Sequence, residues 1–341
     1  MKPTEATGIA VDTGTDTMVA AYQTGFGSAE DVIEIREVPV PEPGPGQVLV
    51  KVAASTTNAL DWHFLTGTPY FIRFEAGFRR PRRRIPGADV AGTVVAAGED
   101  VRSFRPGDQV FGEIGQGGFA EYAIADPDVL GRKPANLSLE ESATLGVAAL
   151  TALQGLRDWA ALKEGDRVLI NGASGGVGTF AIQIARALGA AHITAVCSTP
   201  NVETAAALGA DRVVDYTRED FTDLEDRFEV FFDNAGSKTL GASRKLLSEH
   251  GVLVMVTGKK GRWVRPADRM LAGVIRSRFW GQRFVSRTAT ASAEDSEVLR
   301  GLVEANKVKP VIDRRFTLGE AAKALAYQSQ GHARGKSLVV S

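Results

Sequence analysis

The chain carries a single cysteine, Cys197, among 341 residues. One thiol closes no internal disulfide and builds no cysteine-rich zinc site. Histidine is almost as scarce. His63, His192, His250 and His332 lie far apart in sequence, so no bound metal is expected. Long apolar runs are missing too: none reaches the ~20 residues that a membrane span needs. The opening Met-Lys-Pro-Thr-Glu-Ala lacks the apolar core of a signal peptide, and the expected compartment is the cytoplasm. Nor does one sign of charge dominate. The 40 Lys and Arg against 41 Asp and Glu leave a net charge of −1, which gives no global field to gather nucleic acid.

What is present is the composition of a globular protein, 44% hydrophobic and 24% charged, enough to build a packed core. The length exceeds the ~250–300 residues at which one core stops growing, which predicts more than one domain. Residues 1–16 are small, polar and aperiodic, and read as a flexible tail. From Thr17 the pattern is β-like. Val32–Val38 alternates, Pro39–Gly46 is a proline/glycine loop, and strands are expected over Gln47–Ala53, Val90–Ala97 and Gln109–Gly112.

The period changes near Leu139, where two helices broken at Gly146 are predicted. After them strands and helices alternate. Strands are expected at Val168–Ile170, Ile193–Cys197, Arg212–Asp215, Phe228–Asn234 and Gly251–Val256. The helices between them are expected at Thr179–Leu188, Val202–Leu208 and Thr239–Ser248. Such alternation predicts a parallel sheet covered on both faces. Lys259–Arg287 interrupts it with nine basic residues interleaved with apolar ones. This segment reads as a helical lid with solvated arginines, or alternatively as a surface for a membrane or an anionic partner. A further helix over 292–306 and strands over Val308–Phe316 and Ser337–Val340 complete the chain.

The most informative stretch is Gly165-Asp-Arg-Val-Leu-Ile-Asn-Gly-Ala-Ser-Gly-Gly-Val-Gly178. A short apolar strand runs into a glycine-dense turn, and an alanine-rich helix follows. That order is the first unit of a dinucleotide-binding fold. The turn residues Gly172, Ala173, Ser174, Gly175, Gly176, Val177 and Gly178 are therefore candidates to hold a pyrophosphate at the helix N-terminus. The second strand of the unit ends in Cys197-Ser-Thr-Pro-Asn201 without a carboxylate. An acid there usually holds the ribose 2′-OH of NAD, so Ser198, Thr199 and Asn201 point to NADPH (NADP) instead.

Several motifs in order resemble the medium-chain dehydrogenase/reductase superfamily, in its zinc-free quinone oxidoreductase-like branch. They are Thr57-Asn-Ala-Leu-Asp61, Pro86-Gly-Ala-Asp-Val-Ala-Gly92, the run from Gly98 to Gly112, Gly117-Gly-Phe-Ala-Glu-Tyr-Ala123, the glycine turn, Leu208-Gly-Ala-Asp211, Val214-Asp-Tyr216 and Gly331-His-Ala-Arg-Gly-Lys336. The resemblance covers Thr17 to the C-terminus. It implies an α/β fold with a Rossmann doubly wound parallel sheet plus a GroES-like β-rich catalytic domain. The expected division is 17–143 for the catalytic domain, 144–284 for the Rossmann NADP-binding domain, and 285–341 for a return to the first. It places Tyr216, Asn234, Ala235, Thr257, Gly258 and Lys336 along the cofactor, and Asn58 and Thr151 near the nicotinamide. Zinc-binding members use a cysteine near the position of Asn58 and the histidine of a Gly-His-Glu motif. This chain has Asn58 and Gly87-Ala88-Asp89 there.

Asp61 follows Asn58 in the same loop, and Tyr70 is a candidate proton donor or a rim residue. The arginine run 73–84 borders the cleft in sequence, either drawing anionic substrates or forming a solvated loop. The expectation is a zinc-independent, NADPH-dependent oxidoreductase transferring hydride to a small-molecule quinone or α,β-unsaturated carbonyl, and a homo-oligomer, a dimer, by edge pairing of Rossmann sheets. Enoyl-thioester or carbonyl reduction on the same scaffold, or a non-catalytic NADPH-binding sensor or adaptor, are the alternatives.

Overall fold

A computed structural model describes residues 16–257, 267–331 and 333–341. Gly258, His332, most of the N-terminal tail and the first part of the basic segment (Lys259, Lys260, Arg262, Trp263 and Arg265) lie outside the described residues.

The first part of the chain is β-rich, as its alternating pattern predicts. Strands β1 (Thr17–Gln23) and β2 (Ile33–Pro39) pair antiparallel as a separate ribbon. Strands β3 (Val48–Thr56), β4 (Asp89–Ala97), β5 (Gln109–Glu113), β6 (Tyr122–Ala125) and β7 (Leu130–Arg132) form an antiparallel sheet. Val48, Val50 and Val52 of β3 face Val90, Val94 and Val110 in one core, the period-2 burial that half-covered strands require.

Six parallel strands follow: β8 (Arg167–Asn171), β9 (His192–Cys197), β10 (Arg212–Asp215), β11 (Phe228–Asp233), β12 (Leu247–Met255) and β13 (Arg283–Val285). Their order is β10-β9-β8-β11-β12-β13, so the chain starts in the middle and winds outward both ways. Both faces are covered. Val168, Ile170, Val230, Phe232, Val252 and Val254 pack against the helices Val147–Gln154 and Gly176–Ala187. Leu169, Phe231, Leu253 and Met255 point the other way. The strand order reverses beside β8, between β9 and β11, and a ligand groove at the carboxyl ends of strands forms at such a point. The last strands, β14 (Ile312–Thr317) and β15 (Lys336–Val340), return to the first sheet, where β15 pairs with β3.

Some boundaries differ from the sequence reading. The helix expected over Thr239–Ser248 stops at Lys245, and β12 begins at Leu247. Leu246 and Leu247 are buried beneath the sheet, and Leu247 is registered with Phe228, so cross-strand pairing overrides helical propensity. The basic segment is not a simple interruption. Its helix Ala267–Ser277 feeds β13, a sixth strand that the sequence reading missed because only three residues pair. The helix Ala321–Ser329 was also missed.

Candidate functional site

The glycine turn has the geometry that its composition demands. Gly172 has φ +78°, which favours glycine, and a Cβ at Gly178 would lie 2.2 Å from the Gly172 carbonyl oxygen. The turn therefore closes tightly onto the first turn of the helix Gly176–Ala187. Ala173 is fully buried behind it, and Val177 packs on the same core. On the far side, Asn234 donates its backbone N–H to Asn171 at 3.0 Å, and its carbonyl accepts the Thr257 hydroxyl at 3.0 Å. Ala235 lies against Gly172.

The other wall comes from the first sheet. Gly335 donates to the Ser174 carbonyl at 2.9 Å and bridges Gly175. This delivers Lys336 to the turn, where its Cδ stands 2.7 Å from where a Cβ on Gly176 would be. Lys336 is 3% exposed. Its ammonium donates to the Asn58 side-chain oxygen, to the Thr57 carbonyl at 3.2 Å and to Asp89 at 3.3 Å. Asp89 is fully buried. One of its oxygens accepts from Thr56, from Asn58 at 2.8 Å and from Lys336; the other accepts the Val147 N–H at 2.7 Å. Thr151 donates to the Val147 carbonyl at 2.6 Å, so Asp89 and Thr151 brace the same helix start. Asp89 thus ties two strands, the loop at Asn58 and the helix start together.

The residues read as catalytic separate into two places. Asn58, Asp61 and Thr151 lie at this cluster. Tyr70 opens a short helical turn elsewhere and lines a cavity of about 690 Å³ with Trp62, Arg73 and Leu325. Asn58 spends its amide N–H on Asp89, which makes it a brace for Lys336 and Asp89. Asp61 accepts the Asn58 backbone N–H at 2.7 Å and serves as the buried cap of the helix Ala59–Thr66.

The candidate adenosine residues lie after β9 and β10. Ser198 accepts from the Asn201 side chain at 2.9 Å, and Asn201 is buried. The Thr199 hydroxyl donates to Asp215, and that hydrogen bond is the main influence holding the Asp215 carboxyl below its usual range. Thr199 and Asp215 line a cavity of about 540 Å³ together with Arg218. Tyr216, 57% exposed, stands beside it. Arg218, after β10, also borders this cavity, its Nε 3.4 Å from Asp215. The sequence reading did not single it out. Arg269, one of the arginines of the basic segment read as solvated, pairs instead with the buried Asp233 at 2.7 Å.

Burial acts on two acids near Lys336. Desolvation first, and the Asp89 charge second, push Asp61 up to about 7. The same causes, with Asp61 added, push Glu113 up to about 7. Both bind a proton more tightly folded than unfolded. Their contribution to stability is fully present below about pH 4 and is lost as pH climbs through about 7. Thermal melts across that interval are expected to fall with rising pH, and Glu113→Gln is expected to flatten the slope. A melting temperature independent of pH there would refute this.

Two family descriptions match: "Alcohol dehydrogenase GroES-like domain" over residues 44–135 and "Zinc-binding dehydrogenase" over 208–339. A chloroplastic quinone oxidoreductase, QR1, of Triphysaria versicolor is 34% identical, with 94% of this chain and 98% of the relative covered. The chain belongs to the medium-chain dehydrogenase/reductase superfamily, in its quinone oxidoreductase-like branch. Another relative within it is the chloroplastic NADPH-dependent alkenal/one oxidoreductase of Arabidopsis thaliana, 33% identical over 91% of this chain and 76% of the relative. Among solved structures, the quinone oxidoreductase from Coxiella burnetii superposes with a TM-score of 0.83 at 29% identity, covering 95% of this chain and 99% of that one.

The superfamily's zinc chemistry can be tested against the side chains. Asn58 offers an amide where a thiolate would stand, Ala88 offers no ligand, and the Lys336 ammonium already occupies the carboxylate cluster. Among the described residues no three His, Cys, Asp or Glu are grouped to hold a metal ion. This donor set does not fit zinc. For a dinucleotide the fit is good: a glycine turn too tight for side chains, a helix N-terminus above it and a fixed ammonium beside it.

Proposed function

We propose that this medium-chain dehydrogenase/reductase is a zinc-independent, NADPH-dependent oxidoreductase that reduces a quinone or an α,β-unsaturated carbonyl. The observation that carries this reading is the delivery of Lys336 to the Gly172–Gly178 turn, with Asn58, Asp89 and Thr151 braced behind it. Gly172–Gly178 and Lys336 hold the pyrophosphate; Asn234 and Thr257 line the path toward the nicotinamide; Ser198, Thr199, Asn201 and Tyr216 take the adenosine. When bound, the reduced nicotinamide supplies the hydride to the acceptor. The protein's part is to orient the two partners and to exclude water. The names of the relatives, quinone oxidoreductase and alkenal/one oxidoreductase, support the acceptor class.

The test follows the absorbance of reduced nicotinamide with chelator-treated protein and a panel of quinones, an enone, an enoyl thioester and a simple ketone. Acceptor-dependent loss of NADPH is the expected result. Binding of NADPH without turnover on any acceptor would favour a sensor or adaptor instead. Turnover restored only by added zinc would overturn the metal-free reading.

Arg218 is proposed to meet the 2′-phosphate, with Thr199 beside it. Arg218→Ala is expected to raise the KM for NADPH by about tenfold, one charge-assisted contact, and to leave that for NADH nearly unchanged. Equal effects on both cofactors would exclude this role. A homodimer belongs to the same reading. β13 is one of the two edges of the six-stranded sheet among the described residues, and Leu271 and Phe279 beside it are exposed. Sedimentation as a monomer would remove it. The cytoplasm remains the proposed compartment; the lone, buried Cys197 suits a reducing one. Import into isolated chloroplasts or mitochondria would count against it.

A further inference from the structure

The cleft contains more acid than base. Asp89 on β4 and Glu113 on β5 are register partners, and Asp61 joins them, while Lys336 is the cation that all three feel. Two of the acids have hydrogen-bond donors. Asp89 accepts from Thr56, Asn58, Lys336 and the Val147 N–H, and Asp61 accepts the Asn58 N–H. Glu113 is placed differently. Its Oε2 is buried without a hydrogen-bond partner among the described residues, yet the residue also lines an outer cavity of about 670 Å³. It therefore faces the cluster on one side and an opening on the other.

The groups around Glu113 set its charge. Inside are Asp89, Asp61 and Lys336. On the cavity side are Arg83, Arg84 and Asp126, with Tyr22 and Tyr122 in the wall. Arg84 turns its guanidinium toward the Gln23 and Thr24 carbonyls, and Arg83 toward the Ile114 carbonyl at 3.5 Å. Neither is paired with Glu113. One ammonium does not balance three nearby carboxylates. Asp61 and Glu113 both hold a proton more tightly than usual, and Glu113, whose Oε2 has no donor among the described residues, is the one that also meets the outer cavity.

A pyrophosphate at the glycine turn would draw on the same Lys336, since that side chain lies against Gly176. Its negative charge adds to the cluster's and takes up part of the ammonium's field. We propose that Glu113 takes a proton from solvent, through the outer cavity, when an anionic dinucleotide binds at the glycine turn. The inference rests on the cofactor site proposed above. The step is a protonation alone: buffer acid gives up H⁺, one O–H bond forms on the Glu113 carboxylate, and no group is oxidised or reduced. Binding is then proton-coupled, and it weakens as pH rises past neutrality.

Calorimetric titration of the full chain with NADPH, slightly above neutral pH and in two buffers of different ionisation enthalpy, counts the protons taken up. Net uptake is expected for the wild type, with affinity falling by up to about tenfold per pH unit on the alkaline side, the limit for one coupled proton. Glu113→Gln is expected to bind with uptake near zero and a flat pH dependence, while Asp61→Asn keeps the uptake. Binding without uptake in the wild type, or undiminished uptake in Glu113→Gln, overturns the inference and leaves the cofactor site standing. No binding of NADPH or NADH at any pH overturns both. Infrared spectra of the free wild-type protein give a check that does not depend on a variant folding. A carboxylic-acid carbonyl band should persist near neutrality and vanish at alkaline pH; its absence near neutrality would also overturn the inference.

Discussion

Replacing Lys336 by methionine is expected to abolish dinucleotide binding and to lower the melting temperature. The two losses have different origins. Methionine keeps most of the side-chain volume, so packing against Gly176 survives. What goes is the positive charge, in contact with the Asn58 side chain, the Thr57 carbonyl and Asp89. Asp89 is fully buried, and removing one partner of a buried ion pair costs ~3–5 kcal/mol because the other charge is left uncompensated. Differential scanning fluorimetry would register that loss. Adding Asp89→Asn to Lys336→Met should recover much of the stability by removing the stranded charge, yet leave binding absent. If Lys336→Met binds NADPH as the wild type does, the ammonium is a structural feature of the first sheet and the proposed cradle is wrong.

Gly178→Ala should weaken dinucleotide binding by at least about tenfold, a loss of some 1.4 kcal/mol of binding free energy. A Cβ there would sit 2.2 Å from the Gly172 oxygen and 2.7 Å from the Ala173 Cα and carbonyl carbon. These are backbone atoms with no flexible end to swing away, so the turn and the helix start must separate. Overpacking of this kind costs ~1–3 kcal/mol, and the displaced groups are those that would meet the phosphates. Gly241→Ala is the matched control. That glycine is in a short helix with open space around its Cβ position, so alanine should stabilise by about 0.5–1 kcal/mol and leave binding intact. Equal binding by Gly178→Ala and the control would show that the turn does not approach the ligand closely.

Much of this was readable in the residues. The glycine turn, the alternation after β8 and the valine-rich strands of the first sheet are local patterns, and local patterns survive folding. The motif containing Lys336 was legible through its resemblance, but not the reason for its position. Thr56 and Glu113 gave no signal, since each matters through a partner on another strand. Arg218 was hidden by its place after β10, one strand away from the loop that carried the cofactor reading. Asn58 and Asp61 were found, but not their partners: folding turns them onto Asp89, Lys336 and the helix cap. Tyr70 follows Asn58 closely in sequence, but the intervening helix Ala59–Thr66 carries it to another cavity.

The contacts of Lys336 also say something about the order in which this protein reaches its native state. Its partners Thr57, Asn58 and Asp89 are 279, 278 and 247 residues away along the chain. Contacts of such separation carry a large loop-closure entropy and form slowly unless intervening structure has already shortened the path. The six-stranded sheet, whose strands follow one another at short intervals, supplies that shortening. The cradle is therefore among the last parts to assemble, and ligand capture during refolding would report arrival at the finished molecule rather than the appearance of its Rossmann half.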